Sequence, residues 1–347
     1  MQEDKLIFII SQPRAGSTLL QKLLSNNELV DTVSEPWLLL PLLSIYKPEL
    51  IDARYNYKLA MDGFFDYLGK KNSSLEFKNN LKQLILGLYK VSNSNQYFID
   101  KTPRNYEIIP LIMEFFPTAK FIVLKRNPFA SLHSMLAIWS NGKLHSLKTF
   151  YRDFLIAPQL IQEFCDTHGK KTNVKEVYYE NILSDPKNKT KEIYDWLNIP
   201  FDEHVLDLGK NEKIAGLFGD DAQKEQPLKT INSDLKDSWK DQLGDKSVAA
   251  FFSLYQNYLS SEFLKKYGYE NAFPAGNESE FKISTNANGD QKLPQRNLIK
   301  RAIHSSFNSL GLEIRKICKS GSDLSPGQVA RNAMSACIAD LRRDQKK

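Results

Sequence analysis

Five apolar residues closed by a serine, Leu6 to Ser11, open the patterned part of the chain. Such a run is typical of a strand buried on both faces. A polar turn, Gln12 to Gly16, follows, and Ser17-Thr18-Leu19-Leu20-Gln21-Lys22-Leu23-Leu24 predicts a helix that begins with a hydroxyl cap. Strand, tight glycine-containing turn and helix make the start of an α/β unit. From Trp37 to about Tyr89 the apolar positions recur at helical spacing, with polar breaks near Lys47-Pro48 and from Lys70 to Ser74. Gln96 to Asp100 is a short strand candidate, and Pro103 to Phe116 reads as a helix stopped by Pro117. Lys120 to Leu124 (KFIVL) is a second buried strand, after which Asn127-Pro128 starts a helix with Asn as cap and Pro in the first turn. An amphipathic stretch from Leu144 to His168, a strand from Val174 to Tyr178, helices through Leu197 and a helix from Ser247 to Lys266 complete the pattern.

The pattern fades after residue 273. Ala275 to Pro294 is rich in Asn, Ser, Gly and charge and poor in large apolar residues, which marks a linker over residues 274–294. Residues 295–347 form a basic extension in which Leu298, Ile299, Ile303, Phe307 and Leu310 recur at helical spacing. Such a helix can lie on an anionic membrane surface, bind an acidic partner or pack back on the main domain. The net charge of +6 belongs to this tail: residues 292–347 hold 12 Lys/Arg against 4 Asp/Glu, and the rest of the chain 35 against 37. The main domain, residues 1–273, therefore carries no broad nucleic-acid footprint.

Apolar residues make up 41% of the 347, enough for a sizeable core, and 25% charged residues argue against wholesale disorder. Cys165, Cys318 and Cys337 are far apart and odd in number, so neither a disulfide framework nor a thiolate metal site follows, and a reducing compartment fits. The start MQEDKLIFII lacks the basic residues and long apolar core of a signal peptide, and no apolar run reaches a membrane span. The expectation is a soluble, cytoplasmic protein.

The turn Gln12-Pro13-Arg14-Ala15-Gly16-Ser17-Thr18 lies between a buried strand and a helix start. Helix N-termini present free N–H groups and the positive end of the macrodipole. Gly16 lets a ligand approach the backbone, Ser17 and Thr18 add hydroxyl donors, and Arg14 adds a full charge, so the turn favours a phosphate or sulfate group. It is not a Walker A loop, because no Lys precedes the hydroxyl pair. The segment QPRAGSTLLQKLL resembles the 5′-phosphosulfate loop of the sulfotransferases that use 3′-phosphoadenosine 5′-phosphosulfate (PAPS), in the form found in their tyrosylprotein, carbohydrate and bacterial branches. The resemblance implies that the loop backbone over Pro13, Arg14, Ala15 and Gly16, with Arg14, Ser17 and Thr18, holds the phosphosulfate.

KFIVLKRNPFASLHSML places Arg126 at the carboxyl end of a buried strand, the edge where ligands of open α/β sheets collect. Ser131 and Ser134 share one face of the helix that follows. The segment resembles the family's 3′-phosphate motif, with Arg126 and Ser134 on its binding positions and Asn127 in place of the commoner Asp.

Sulfuryl transfer needs a base for the acceptor hydroxyl and a cation for the leaving phosphate. Glu35, in Val33-Ser34-Glu35-Pro36-Trp37, stands 21 residues after Arg14 and resembles the general base that the tyrosylprotein and some carbohydrate branches carry at similar spacing. Lys101, in Ile99-Asp100-Lys101-Thr102-Pro103, resembles the family's lysine on the leaving oxygen, and a compact ammonium suits such a point of developing charge. Asp100 could orient Lys101 or pair with Arg104. Tyr179 resembles the tyrosine that reaches the adenine. The family often has a basic residue directly before a Trp near the donor's phosphates; here Ser238 precedes Trp239, and either Lys236 or Lys240 could substitute. Glu35, Lys101 and Arg14 are thus the catalytic candidates, with PAPS as co-substrate and no metal.

The resemblance covers about residues 5–270 and implies a three-layer, P-loop-like sulfotransferase fold, with a mostly parallel central sheet flanked by helices. Glu-Pro after the loop looks like the carbohydrate branch, so a glycan or glycolipid hydroxyl is the first acceptor, and a protein tyrosine the second. A nucleotide kinase with a degenerate phosphate loop and a non-catalytic phosphonucleotide-binding module are the readings from other classes.

Overall fold

The computed structural model describes residues 1–89, 96–209, 214, 231, 239–240, 246–270 and 326–344. The chain divides into two compact units, one of residues 1–126 and 156–236, the other of residues 127–155 and 237–347.

The first unit is built on a five-stranded sheet in the order β2-β3-β1-β4-β5. Its strands are β1 (Leu6–Ser11), β2 (Val30–Thr32), β3 (Tyr97–Asp100), β4 (Lys120–Lys125) and β5 (Val174–Tyr178), and every neighbouring pair is parallel. The strands being parallel, their carboxyl ends face one edge; Ser11 stands opposite Leu124 of β4, and β3 ends at Asp100, level with Phe8. Side chains alternate across a strand. Ile7, Ile9, Ile122 and Leu124 therefore share one face, where they pack on α1 (Ser17–Ser25), α8 (Tyr179–Ser184) and α9 (Pro186–Leu197) through Leu19, Leu23, Ile182, Ile193, Tyr194 and Leu197. Phe8 and Phe121 point the other way. Phe8 meets Phe121 and Phe116 at centroid distances of 5.3 and 5.8 Å, and Phe121 meets Phe164 of α7 (Ala157–His168) at 5.9 Å. Helix, sheet and helix are the three layers expected. Each fully buried Ile, Leu or Phe contributes about 1.5–3 kcal/mol, so the two faces of β1 anchor the unit.

Several elements differ from the sequence pattern. Strand β2 was not anticipated: three residues are too few to show a period, and pairing with β3 makes it a strand. The helical stretch after Trp37 is interrupted at the two polar breaks read from the sequence, and it divides into α2 (Leu39–Leu43), 3-10 turns at Ser44–Tyr46 and Pro48–Leu50, α3 (Tyr57–Lys70) and α4 (Ser74–Leu88). The helix expected from Pro103 begins as 3-10 turns over Pro103–Ile108, and α5 (Ile109–Phe115) starts afresh with Pro110 in its first turn. The stretch Leu144–His168 is broken too. Residues Leu144–Phe150 are 3-10, and α7 starts at Ala157, with Pro158 in its first turn. A proline supplies no N–H to a preceding turn and is preset for a helix start, so α5 and α7 begin where Pro110 and Pro158 allow it.

The second unit holds α6 (Pro128–Ile138), the turns at 144–150, α10 (Lys246–Leu259), α11 (Ser261–Tyr267) and α12 (Pro326–Asp344). Asn127 caps α6 as read from the sequence, its Oδ1 accepting from the N–H of Phe129 at 2.9 Å. The helix expected over 247–266 is split at Ser260, whose φ of 65° ends α10 and whose hydroxyl caps α11. Trp239 is buried and stacks on Phe129 and Phe252. Helix α12 buries Ala330, Ala333, Met334, Cys337 and Ile338 against α10 and the 144–150 turns. The linker read at 274–294, the apolar positions 298–310 and Lys236 lie outside the described residues.

Candidate active site

Strand β1 ends at Ser11, and the chain turns tightly before α1, with the Ala15 N–H returning to the Gln12 carbonyl at 3.2 Å. Arg14 and Gly16 both have positive φ, 65° and 86°. Arg14 bears a side chain in a region that costs it energy, and such strain collects at functional sites. Gly16 meets two demands at once: its φ favours glycine, and a Cβ there would overlap the ring of Tyr179. The N–H groups of Leu19 and Leu20 already close on the Gly16 carbonyl. Those of Ser17 and Thr18 precede the first complete turn, where an α-helix leaves its donors without intrahelical partners.

Arg126 follows β4, the neighbour of β1. Its Nη1 donates to the Arg14 carbonyl at 2.9 Å, and its guanidinium lies 4.7 Å from the centroid of the Tyr179 ring. Its Nε is buried without a hydrogen-bond partner among the described residues. Tyr179, at the start of α8, is thus held between Gly16 and Arg126. The Arg126 guanidinium, the Arg14 backbone, a glycine and a helix start meet at one sheet edge, and this set fits a phosphate-bearing anion.

One strand away, β3 delivers Lys101. Its side chain is 1% exposed, and its Nζ donates to Glu35 Oε1 at 3.0 Å. The other carboxylate oxygen, Oε2, accepts from the indole Nε1 of Trp37 at 3.1 Å. The Trp37 N–H reaches the Thr102 hydroxyl at 3.3 Å, and that hydroxyl donates to Asp100 Oδ1 at 2.9 Å. Asp100 Oδ2 accepts from the Tyr89 phenol at 2.6 Å. The chain of contacts closes on itself, because Asp100 and Lys101 are adjacent residues. Burial pushes the Asp100 carboxyl up to about 6, against the hydrogen bonds from Tyr89 and Thr102 and the Lys101 charge, which pull it down. Burial, then the Asp100 charge, pushes the Tyr89 phenol well above its usual range.

The sequence-derived candidates Pro13, Arg14, Ala15, Gly16, Ser17, Thr18, Glu35, Lys101, Arg126 and Tyr179 all lie in the first unit. The structure brings Glu35 to Lys101, and Arg126 to Arg14 and Tyr179. Ser134, on α6, and Lys240, exposed beside Trp239, belong to the second unit. The sequence left Trp37, Thr102 and Tyr89 without roles. The sequence does not record the contact of Thr102 with Trp37, 65 positions away, or of Tyr89 with Asp100, 11 away. The clue at Trp37 was its place in Glu-Pro-Trp. Asp100, weighed as an orienter of Lys101, holds Thr102 and Tyr89.

A family model described as "Sulfotransferase family" matches residues 7–203. Protein-tyrosine sulfotransferase A of Caenorhabditis elegans is 23% identical over 278 residues, 77% of this chain and 68% of that protein. Nodulation protein NoeE of Sinorhizobium fredii is 27% identical over 136 residues, 39% of this chain and 32% of that one. Among solved structures, the sulfotransferase domain from the curacin biosynthetic pathway is similar at 20% identity and a TM-score of 0.45, over 67% of this chain and 89% of that domain. The family match spans more than half of the chain and contains both the loop of β1 and the Glu35–Lys101 pair; the chain belongs to the sulfotransferase family, whose co-substrate is PAPS.

Proposed function

We propose that the chain transfers the sulfuryl group of PAPS to a hydroxyl of a carbohydrate or glycolipid. The observation that carries the reading is the pairing of a carboxylate with a buried lysine beside an anion cradle on the same sheet edge. In the reaction the acceptor oxygen bonds to sulfur as the bond from sulfur to the 5′-phosphate oxygen breaks. Glu35 takes the hydroxyl proton, and Lys101 offsets the charge that grows on the leaving oxygen. Arg14, Ser17, Thr18 and the loop backbone of residues 13–16 hold the 5′-phosphosulfate. Arg126 and Ser134 take the 3′-phosphate, Tyr179 the adenine side and Lys240 a donor phosphate. Loss of one such donor to developing charge costs about 10²–10³ in rate.

The carbohydrate acceptor rests on the Glu-Pro sequence after the loop. Tyrosine in a protein is the second reading, favoured by the likeness to the nematode protein-tyrosine sulfotransferase over 77% of the chain. Among the described residues no helix is long and apolar enough to cross a membrane.

The test is calorimetric binding of adenosine 3′,5′-bisphosphate without metal to the wild type and to Arg126→Ala. Micromolar binding that the variant weakens by about 100-fold supports the reading, as loss of a charge-assisted contact to phosphate should. Wild-type protein that ignores this ligand and binds ATP with magnesium would bring the kinase alternative forward. Radiolabelled PAPS offered with glycans and with tyrosine peptides then separates the two acceptors.

A further inference from the structure

Both catalytic candidates are engaged with each other. Glu35 has Oε1 on Lys101 at 3.0 Å and Oε2 on Trp37 at 3.1 Å, so each oxygen already accepts a hydrogen bond, one of them from the cation the leaving group needs. Lys101 is 1% exposed, and its ammonium is neutralised by the carboxylate it touches. A base clamped by the cation meant for the leaving group describes a resting state, which chemistry must first undo.

The two holds on Glu35 differ in kind. Lys101 is a flexible four-carbon stem bearing a point charge, and such a group can exchange one anion for another by rotation. Trp37 is held at its backbone and over its ring, where the Arg104 guanidinium lies 5.9 Å from the centroid. Its backbone has a φ of 49°, a conformation costly for a bulky residue, and its N–H is tied to Thr102, which is tied to the buried Asp100. Strain of that kind persists where the surroundings over-determine it. The indole is therefore the fixed hold and the ammonium the movable one.

Resting on the PAPS reading above, we propose that the Glu35–Lys101 pair is a latch that donor binding opens. Lys101 Nζ passes from Glu35 Oε1 to the donor's 5′-phosphate oxygen, and the Trp37 indole keeps Oε2. One motion then places the cation on the leaving group and exposes Oε1 toward the acceptor hydroxyl. Trp37 is the positioning residue that stops the released carboxylate from swinging away. No bond is made or broken in this step. Its consequence is an order of events, in which the base is free once the donor is in place.

Competition for Lys101 can be read without any acceptor. If the donor must take the ammonium from Glu35, removing the carboxylate charge should tighten donor binding. Calorimetry with adenosine 3′,5′-bisphosphate on the wild type, Glu35→Gln, Lys101→Met and the double variant measures this. Glu35→Gln should bind about fivefold tighter than the wild type, a coupling of ordinary size. In the Lys101→Met background the same substitution should change nothing, because the contested group is gone. A crystal structure of the wild type with the ligand should show Lys101 Nζ on the 5′-phosphate and Trp37 Nε1 still on Glu35. Equal or weaker binding by Glu35→Gln, or a liganded structure with the ion pair intact, would overturn the latch while leaving the donor site standing. A wild type that binds no adenosine 3′,5′-bisphosphate would overturn the donor reading and the latch together.

Discussion

Asp100 shows how one buried carboxyl can organise a site without touching a substrate. It is 1% exposed and accepts from Tyr89 and Thr102, and through Thr102 it fixes the backbone of Trp37. Burial raises its pKa from 3.8 to about 6. A carboxyl whose folded value is raised binds its proton more tightly in the folded state. Its contribution to stability is then fully present below 3.8 and is lost as pH rises through about 6. At neutral pH the protein keeps this group charged at a cost in stability. Asp100→Asn abolishes the titration. Melting temperatures of the two proteins, measured from about pH 4 to about pH 7, should therefore move in the variant's favour as pH rises. A constant difference across that range would mean that Asp100 does not titrate as its burial demands.

At the scale of elements, the proposed donor site rests on the turn from β1 to α1, and Gly16 is where it is most exposed to test. Alanine there must adopt a φ of 86° and must also displace the Tyr179 ring, which faces Arg126. The conformational part alone costs about 1–2 kcal/mol, or roughly tenfold in affinity if it falls on the bound loop. Gly16→Ala should keep its far-ultraviolet circular dichroism and bind adenosine 3′,5′-bisphosphate at least about tenfold more weakly. Undiminished affinity would remove the loop from the donor site. This turn was legible in the sequence because all its determinants are local: an apolar run, a glycine and a hydroxyl pair within 13 residues, Leu6 to Thr18. Glu35 and Lys101 were legible by spacing and neighbours, but their mutual contact was not, since it spans 66 positions. Strand β2 and the closed chain through Trp37, Thr102, Asp100 and Tyr89 were invisible for the same reason. Strand β2 pairs with β3, and Trp37 reaches Thr102 across 65 positions, and no period or propensity records such a contact. The prolines at 110 and 158 were visible, yet the apolar pattern across them read as continuous helix, because amphipathic spacing persists through a break that only backbone geometry reveals.

For the whole molecule, the balance of charge bears on whether a metal takes part. The net charge of +6 sits in residues 292–347, so the remainder is close to neutral and offers no general attraction for a polyanion. On the proposed reading, anion binding comes from Arg14, Arg126, Lys101 and the start of α1. These supply three cationic side chains and the positive end of a helix dipole to a donor whose phosphates and sulfate need neutralising. A sulfuryl group carries less negative charge than a phosphoryl group, so a nucleophile approaches it against weaker repulsion. The bridging role that magnesium fills in phosphoryl transfer can then fall to lysine and arginine. The expectation is that saturating EDTA leaves the rate of sulfate transfer from PAPS within about twofold, and that added magnesium does not raise it. A rate that collapses with EDTA and returns with magnesium would mean that the protein cations are insufficient. The site would then need to be read again as one that handles a metal-bound nucleotide. An unchanged rate in EDTA, lost on Lys101→Met, would assign the neutralising charge to the chain itself.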